Sequence, residues 1–290
     1  MNKVNISLTL DFKELPKRLT AIADPPKKLF IKGRDIRELV KLPMLAIVGS
    51  RRVSPYGRHV TEKLAGELAA DGVVIVSGLA LGVDSIAHQA ALDAKGLTVA
   101  VLPGGIDRVY PRSHEPLARA IVASGGSLVS ESPGVVSPQK FNFLVRNRLI
   151  SGLADGVLIP EAAIRSGSLN TARHALEQGR TVFAVPGNIT SDLSGGTNNL
   201  IKLGATPVTC VQDIYDALGW KPTKKKPSDV TAYTPAEQVI LKILKKHDSI
   251  SGEELLSLSK LPNTEFFETM TMLEIAGTIK ALGGNLWSLR

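Results

Sequence analysis

The residues of this 290-residue chain that could do chemistry fall in five glycine-bearing loops, each leaving a short, mostly β-branched run. They are Gly49-Ser50-Arg51-Arg52, Ser77-Gly78 through Gly82-Val83-Asp84, Gly104-Gly105 running on to Tyr110-Pro111-Arg112, Glu161 through Ser166-Gly167-Ser168, and Pro186-Gly187-Asn188. Glycine lets backbone approach a ligand closely, and a helix N-terminus behind such a loop attracts anions. Arginine in three of the five makes the set read as a site for a phosphate-bearing ligand. The stretch Lys140-Phe141-Asn142-Phe143-Leu144-Val145-Arg146-Asn147-Arg148 adds three basic residues and two aromatics, with no acid. Cations that pair phosphates, interleaved with rings on which bases stack, suit a single-stranded nucleic acid. Phe143 reads equally well as a core-facing ring. Arg146 and Arg148 oppose the dipole of the helix they begin, and so call for an external reason.

Other chemistries lack their residues. Gly49-Ser50-Arg51-Arg52 does not supply the dinucleotide fingerprint, and no Gly-x-x-x-x-Gly-Lys-Ser/Thr segment occurs. Gly-x-Ser-x-Gly, His-Glu-x-x-His and cysteine clusters are also missing, so no metal site and no cofactor is expected. The single cysteine, Cys210, excludes an internal disulfide framework and fits a reducing cytosol. His88 and His174 fall inside amphipathic helical patterns and read as structural. Glu161 leaves two readings open. It is either a structural carboxylate accepting loop amides or, with Ser166-Gly167-Ser168 as phosphate cradle, the acid of a nucleotide or phosphoribosyl hydrolase.

The elements that must position these loops alternate regularly. Strands are predicted at Leu45–Val48, Val73–Val76, Thr98–Leu102, Leu128–Ser130, Val157–Ile159 and Thr181–Val185. Helical periodicities lie between them at Tyr56–Ala70, Asp84–Ala94, Ser113–Ala123, Arg146–Leu153 and Ser168–Gln178. Continuous apolar strands alternating with helices define an α/β fold with a doubly wound, mostly parallel sheet, which places ligands outside the carboxyl ends of the strands. This domain is expected over 43–219, with 1–42 an extension leading into the core and 220–231 a basic linker. A small winged-helix-like domain follows over 232–290: helices from Pro235, from Ser251 and over Thr264–Ala276, then a hairpin turning at Gly283-Gly284-Asn285. The longest uncharged stretch, Gly72–Val83, is too short for the roughly 20 apolar residues of a membrane span, and no export signal is visible.

The loop set, with Ala87-His88, Tyr110-Pro111, Arg146-Asn147-Arg148 and Thr171-Ala172 in the same order and spacing, resembles the DprA/Smf family over about Lys27 to Gly219. The resemblance implies an extended Rossmann-like fold and a cytoplasmic homodimer that binds single-stranded DNA in natural transformation. Such a protein protects incoming DNA and helps load the RecA recombinase, without bond chemistry of its own. It also implies that Arg51 and Arg112 contact DNA in the pocket and that Lys140, Phe141, Arg146 and Arg148 form its rim. The amides of Gly49, Gly78 and Gly105 are expected to support the phosphates. Ser50, Arg52, Asn147, Ser166, Gly167 and Ser168 complete the expected DNA-binding set. Leu81 stands where members often carry Lys or Arg, and Leu144 where proline is usual.

The net charge of +8 favours a polyanionic partner, yet it does not locate the site. Residues 1–42 carry +5, 220–290 carry +2, and the 43–219 core only +1. Position on the loops, not bulk charge, singles out the arginines.

Overall fold

The computed structural model describes residues 7–221, 234–247, 249–275 and 277–289. The basic linker predicted over 220–231 lies, beyond Lys221, outside the described residues. Two compact units are present, Met1–Lys224 and Lys225–Arg290.

The first unit is built on β1 (Ser7–Asp11), β2 (Lys28–Gly33), β3 (Met44–Ile47), β4 (Val74–Ser77), β5 (Thr98–Val101), β6 (Ser127–Ser130), β7 (Gly156–Ile159), β8 (Thr181–Ala184) and β9 (Thr206–Pro207). They form one sheet in the order β1-β2-β6-β5-β4-β3-β7-β8-β9. Every pairing from β6 to β9 along that order is parallel. Strands β3 to β7 are buried along their whole length, as their unbroken apolar runs require in a sheet covered on both faces.

Residues 7–33 do more than lead into the core. Strand β2 pairs antiparallel with β6, and β1 antiparallel with β2, so the segment extends the sheet itself. Leu10, Leu29 and Ile31 point into the core while Lys28 and Asp11 face outward and pair with each other at 3.1 Å. The charged outward positions hide this period-two pattern in a segment read for its net charge.

The helices are α1 (Lys17–Thr20), α2 (Ile36–Leu39), α3 (Pro55–Ala70), α4 (Val83–Asp93), α5 (Glu115–Ala123), α6 (Lys140–Leu153), α7 (Ser168–Glu177), α8 (Gly195–Lys202) and α9 (Val211–Leu218). Leu149, Ile150 and Leu153 of α6 and Ala172 and Ala175 of α7 pack on one set of strand residues, including Ala46, Val76 and Val157. Leu64 and Leu68 of α3, Ala87 and Ala91 of α4 and Ile214 of α9 pack on the alternate set, including Leu45, Ile75 and Leu158. From β3 the chain winds outward through β4, β5 and β6. Helix α6 then carries it back past β3 to β7, and it winds the other way. The reversal lies between β3 and β7, where open α/β sheets leave a crevice.

Helix α6 begins at Lys140, six residues before its predicted start. Its N-cap is Gln139, whose amide N–H donates to Asn142 Oδ1 at 2.7 Å. A glutamine cap carries none of the Ser/Thr/Asp signal that marks most helix starts.

His88 of α4 is fully buried, consistent with the structural reading. Thr98 Oγ1 donates to Ile75 O at 2.7 Å, so the His88 Nδ1–H donates to Thr98 Oγ1 at 2.6 Å. That tautomer leaves Nε2 as a bare acceptor without a protein partner. Burial, with His114 and Arg146 nearby, lowers the His88 pKa to about 3. The folded pKa lies below the unfolded value, so between about pH 6.5 and 3 the unfolded chain binds the extra proton and stability falls as pH falls. Each pH unit in that window is expected to remove about 1.4 kcal/mol. Urea melts at pH 5.5 and 4.5 should show this loss in the native chain beyond any in His88→Gln.

The second unit contains α10 (Pro235–Leu244), β10 (Ile250–Ser251), α11 (Gly252–Ser259), α12 (Asn263–Ile275), β11 (Ile279–Gly283) and β12 (Leu286–Leu289), with strand order β10-β12-β11. Thr234 and Ser251 cap α10 and α11 through their side chains. The hairpin turns at Gly284-Asn285, both with φ near +60°, as a two-residue primed turn requires. Ile240, Leu244, Leu255, Phe266, Met270 and Leu273 make its core. Strand β10, two residues long, is too short to show any periodicity in sequence. Among the described residues no helix is long and apolar enough to cross a membrane.

Candidate functional site

A cleft of about 750 Å³ opens at the carboxyl ends of β3 and β7, beneath the start of α6. Ten of the predicted residues line it: Gly49, Ser50, Arg51, Arg52, Lys140, Arg146, Asn147, Ser166, Gly167 and Ser168. Ser50 Oγ donates to Arg52 O at 2.6 Å and so pins the tight turn that leaves Arg51 and Arg52 exposed. Ser166 and Ser168 hydroxyls meet at 2.7 Å at the start of α7. Asn147 Nδ2 donates to Asn170 Oδ1 at 3.2 Å, tying α6 to α7 across the cleft wall.

The ring in the cleft is Phe143, not Phe141. Lys140, Phe143 and Asn147 follow one another at helical spacing, and all three line the cleft. Phe141 is 57% exposed and lies outside it. The Arg51 guanidinium sits 5.2 Å from the Phe143 ring centroid. Tyr110 meets the same ring edge-on, with centroids 5.5 Å apart. With α6 begun at Lys140, the i, i+3, i+7 pattern would have marked Phe143 in the sequence. Leu144, where proline is usual in the family pattern, lies inside the helix and also lines the cleft.

The three expected phosphate-supporting amides are spent internally. Gly78 N–H donates to Asp84 Oδ2 at 3.1 Å, and Gly105 N–H donates to Val136 O at 2.9 Å. Asp84 also receives the amides of Gly49 and Ala80. Gly105 is required by close packing, since a Cβ there would lie 2.1 Å from Gly134 O. Asp84, which ends the second loop but stands outside the expected DNA-binding set, is itself a cleft residue.

The two arginines of Arg146-Asn147-Arg148 are internal as well. Arg146 is 5% exposed; its Nη1 donates to Gly78 O at 2.8 Å and to Val101 O. A Cβ on Gly78 would lie 2.5 Å from that guanidinium, so the glycine makes room for the arginine. Desolvation lowers the Arg146 pKa to about 10, against the opposing pull of Asp84. Burial of Asp84 in turn raises its carboxyl above the usual range, and Arg146 only partly offsets this. Arg148 lies outside the cleft and is committed to Glu131 through two 2.8 Å bonds and to Asp24 through a third. The external reason expected for these cations is therefore internal: carbonyls at the strand ends for Arg146, carboxylates for Arg148.

Arg112 begins the 3-10 turn Arg112–His114, is exposed, and does not line the cleft. Arg112→Ala is accordingly expected to change oligonucleotide affinity by less than about twofold, the usual effect of a surface substitution away from contacts. Fluorescence anisotropy with a labelled oligonucleotide checks this; a tenfold loss would put Arg112 back at the site.

Glu161 is 2% exposed and serves the start of α3. Its Oε2 accepts from Ser54 N–H at 2.8 Å and its Oε1 from the Ser54 hydroxyl. A Cβ on Gly57 would lie 2.6 Å from the carboxylate. Both oxygens are engaged, as the structural reading of Glu161 requires. Among the described residues no group of three or more His, Cys, Asp and Glu is placed to hold a metal ion.

A Rossmann-like sheet with a basic and aromatic cleft at its switch point defines a doubly wound α/β protein. The chain belongs to the DNA recombination-mediator protein A family, whose model matches residues 7–219. It is 41% identical to Protein Smf of Escherichia coli over 97% of this chain and 76% of that one. DNA processing protein A (DprA) of Streptococcus pneumoniae superimposes with a TM-score of 0.67 at 41% identity, covering 72% of this chain and 74% of that one. The Helicobacter pylori DNA processing protein A, described for its single-stranded DNA binding mode, gives 0.66 at 38% identity over 73% of this chain and 95% of that one.

Proposed function

We propose that the cleft binds single-stranded DNA and does no bond chemistry. The observation that carries this is the Arg51–Phe143–Tyr110 cluster with Lys140 one helical turn before the ring. A ring half-open to the cleft takes a base on its face, and the exposed cations at the mouth meet the flanking phosphates. Duplex DNA fits poorly, because its bases are already stacked and its rings are closed to Phe143. The named single-strand binding of the Helicobacter pylori relative supports the same reading.

In this role the chain acts in the cytoplasm as a homodimer, protects single strands during natural transformation and helps load the RecA recombinase. The second unit has the element order of a winged helix, α-β-α-α-β-β. Its helix α12 carries Glu265, Glu268 and Glu274 and neither Lys nor Arg, which favours a protein contact over a duplex groove.

Binding to matched single- and double-stranded oligonucleotides across a salt series, with mass by light scattering, tests the reading. Tight, salt-dependent binding to the single strand by a dimer is expected. Equal affinity for the duplex, or nucleotide turnover abolished by Glu161→Gln, would overturn it.

A further inference from the structure

The cleft is lined by a buried carboxyl group that belongs to the chain. Asp84, 6% exposed at the second position of the eleven-residue α4, gathers the amides of Gly49, Gly78 and Ala80 from two successive strand-end loops. Converging loop amides at the start of a helix, at the switch point of a parallel sheet, form the nest in which nucleotide-binding folds seat a phosphate. Beside it lies Arg146, 95% buried, whose Nε–H has no partner. The backbone amides converge on one point at the start of the helix, and the Asp84 carboxyl fills it.

We infer that the Asp84 carboxyl occupies the phosphate position of this cleft and so excludes mononucleotides from it. A phosphate entering the nest would meet a buried carboxylate already satisfied by the same donors. A free nucleotide has a single phosphate group to anchor it and loses that anchor. A strand offers several phosphates and is held at the mouth by Arg51, Arg52 and Lys140, with its base on Phe143. The inference refines the single-strand reading above, since it explains why a Rossmann-like cleft would select a polymer over a monomer.

The test uses the full chain with Asp84→Ala, and Asp84→Ser as a second variant. Titration with inorganic phosphate is followed by thermal melting, because a ligand bound only to the folded state raises the melting temperature even of a weakened protein. Phosphate and dAMP should stabilise either variant with an affinity at least about tenfold above that for the native chain. In the native chain, dAMP should fail to displace a labelled single strand at concentrations that saturate the variant. Variants that melt cooperatively yet gain no phosphate response would overturn the inference, as would displacement of the strand by dAMP from the native chain. If both variants fail to fold, the native competition decides alone. A gain of phosphate binding in a protein whose native form ignores oligonucleotides would instead sink the single-strand reading and leave the Asp84 assignment standing.

Discussion

Replacing Arg51 and Lys140 together by alanine is expected to remove most of the affinity for single-stranded DNA, on the order of a hundredfold near physiological salt. The estimate rests on two charge-assisted contacts at about 1.5–3 kcal/mol each, reduced because both side chains stand at an open mouth. The salt dependence gives the sharper readout. Each phosphate neutralised on a single strand contributes about 0.7 to the slope of log affinity against log salt. Losing two should flatten that slope by about 1.4. Arg51 also caps the face of Phe143, so its removal frees the ring for bases while taking away the phosphate contact. The double variant should therefore lose slope more completely than it loses affinity. An unchanged slope would mean that the strand meets its cations elsewhere, with Arg52 and Arg112 the first to examine.

The parallel architecture was legible because its signal is long and redundant: successive apolar strands, each followed by a glycine loop, admit few other arrangements. The site was legible only in part. Residues on tight strand-end turns, such as Arg51 and Ser166, landed in the cleft because the turn itself fixes where they go. Residues on α6 were misassigned wherever the helix start mattered. With the start placed at Arg146, Phe141 and Phe143 belonged to a loop and could not be told apart. With the start at Lys140, one faces the cleft and the other does not. Arg146, which lines the cleft, and Arg148, which does not, are both engaged internally for a different reason. Their partners, Asp24 and Glu131 for one and the strand-end carbonyls with Asp84 for the other, are brought together by the sheet, and no local pattern predicts a contact such as Arg148 to Asp24, 124 positions apart. Charge was a similar trap at 1–42, where lysines masked the alternation that makes β2 a strand.

The glycines show the same division between local and tertiary cause. Gly284 needs a positive φ and announces itself by its neighbour Asn285. Gly78 and Gly57 are glycines because a guanidinium and a carboxylate from distant segments occupy the space of a Cβ. Gly78 was read as a feature for approaching a ligand and Gly57 fell unremarked inside a predicted helix, and both admit an internal ion. Substitution at Gly78 would thus act on the cleft indirectly, by evicting Arg146 from beneath it.

Arg146→Met is expected to be the most destabilising single change at the site, costing about 3–5 kcal/mol, because it leaves the Asp84 charge buried without its counter-ion. The pair does not fully offset its own burial: both groups are pushed toward neutrality, Arg146 to a pKa of about 10 and Asp84 upward. Its members should accordingly be strongly coupled rather than separately stabilising. Asp84→Asn keeps an acceptor for the three amides while removing the charge, so Arg146→Met combined with Asp84→Asn should lose less than the two single losses summed, by about 1–3 kcal/mol. The pH dependence separates this from a simple packing defect. In Arg146→Met the Asp84 carboxyl has its folded pKa above the unfolded value, so the folded state binds the extra proton and stability recovers as pH falls from that raised pKa toward 3.8. The His88 titration acts in the opposite direction and itself depends on Arg146, so the comparison is made in a His88→Gln background. Urea denaturation of the four proteins at two pH values measures both effects. Additive losses with no relative recovery in acid would show that Arg146 serves only to fill space beneath the strand ends.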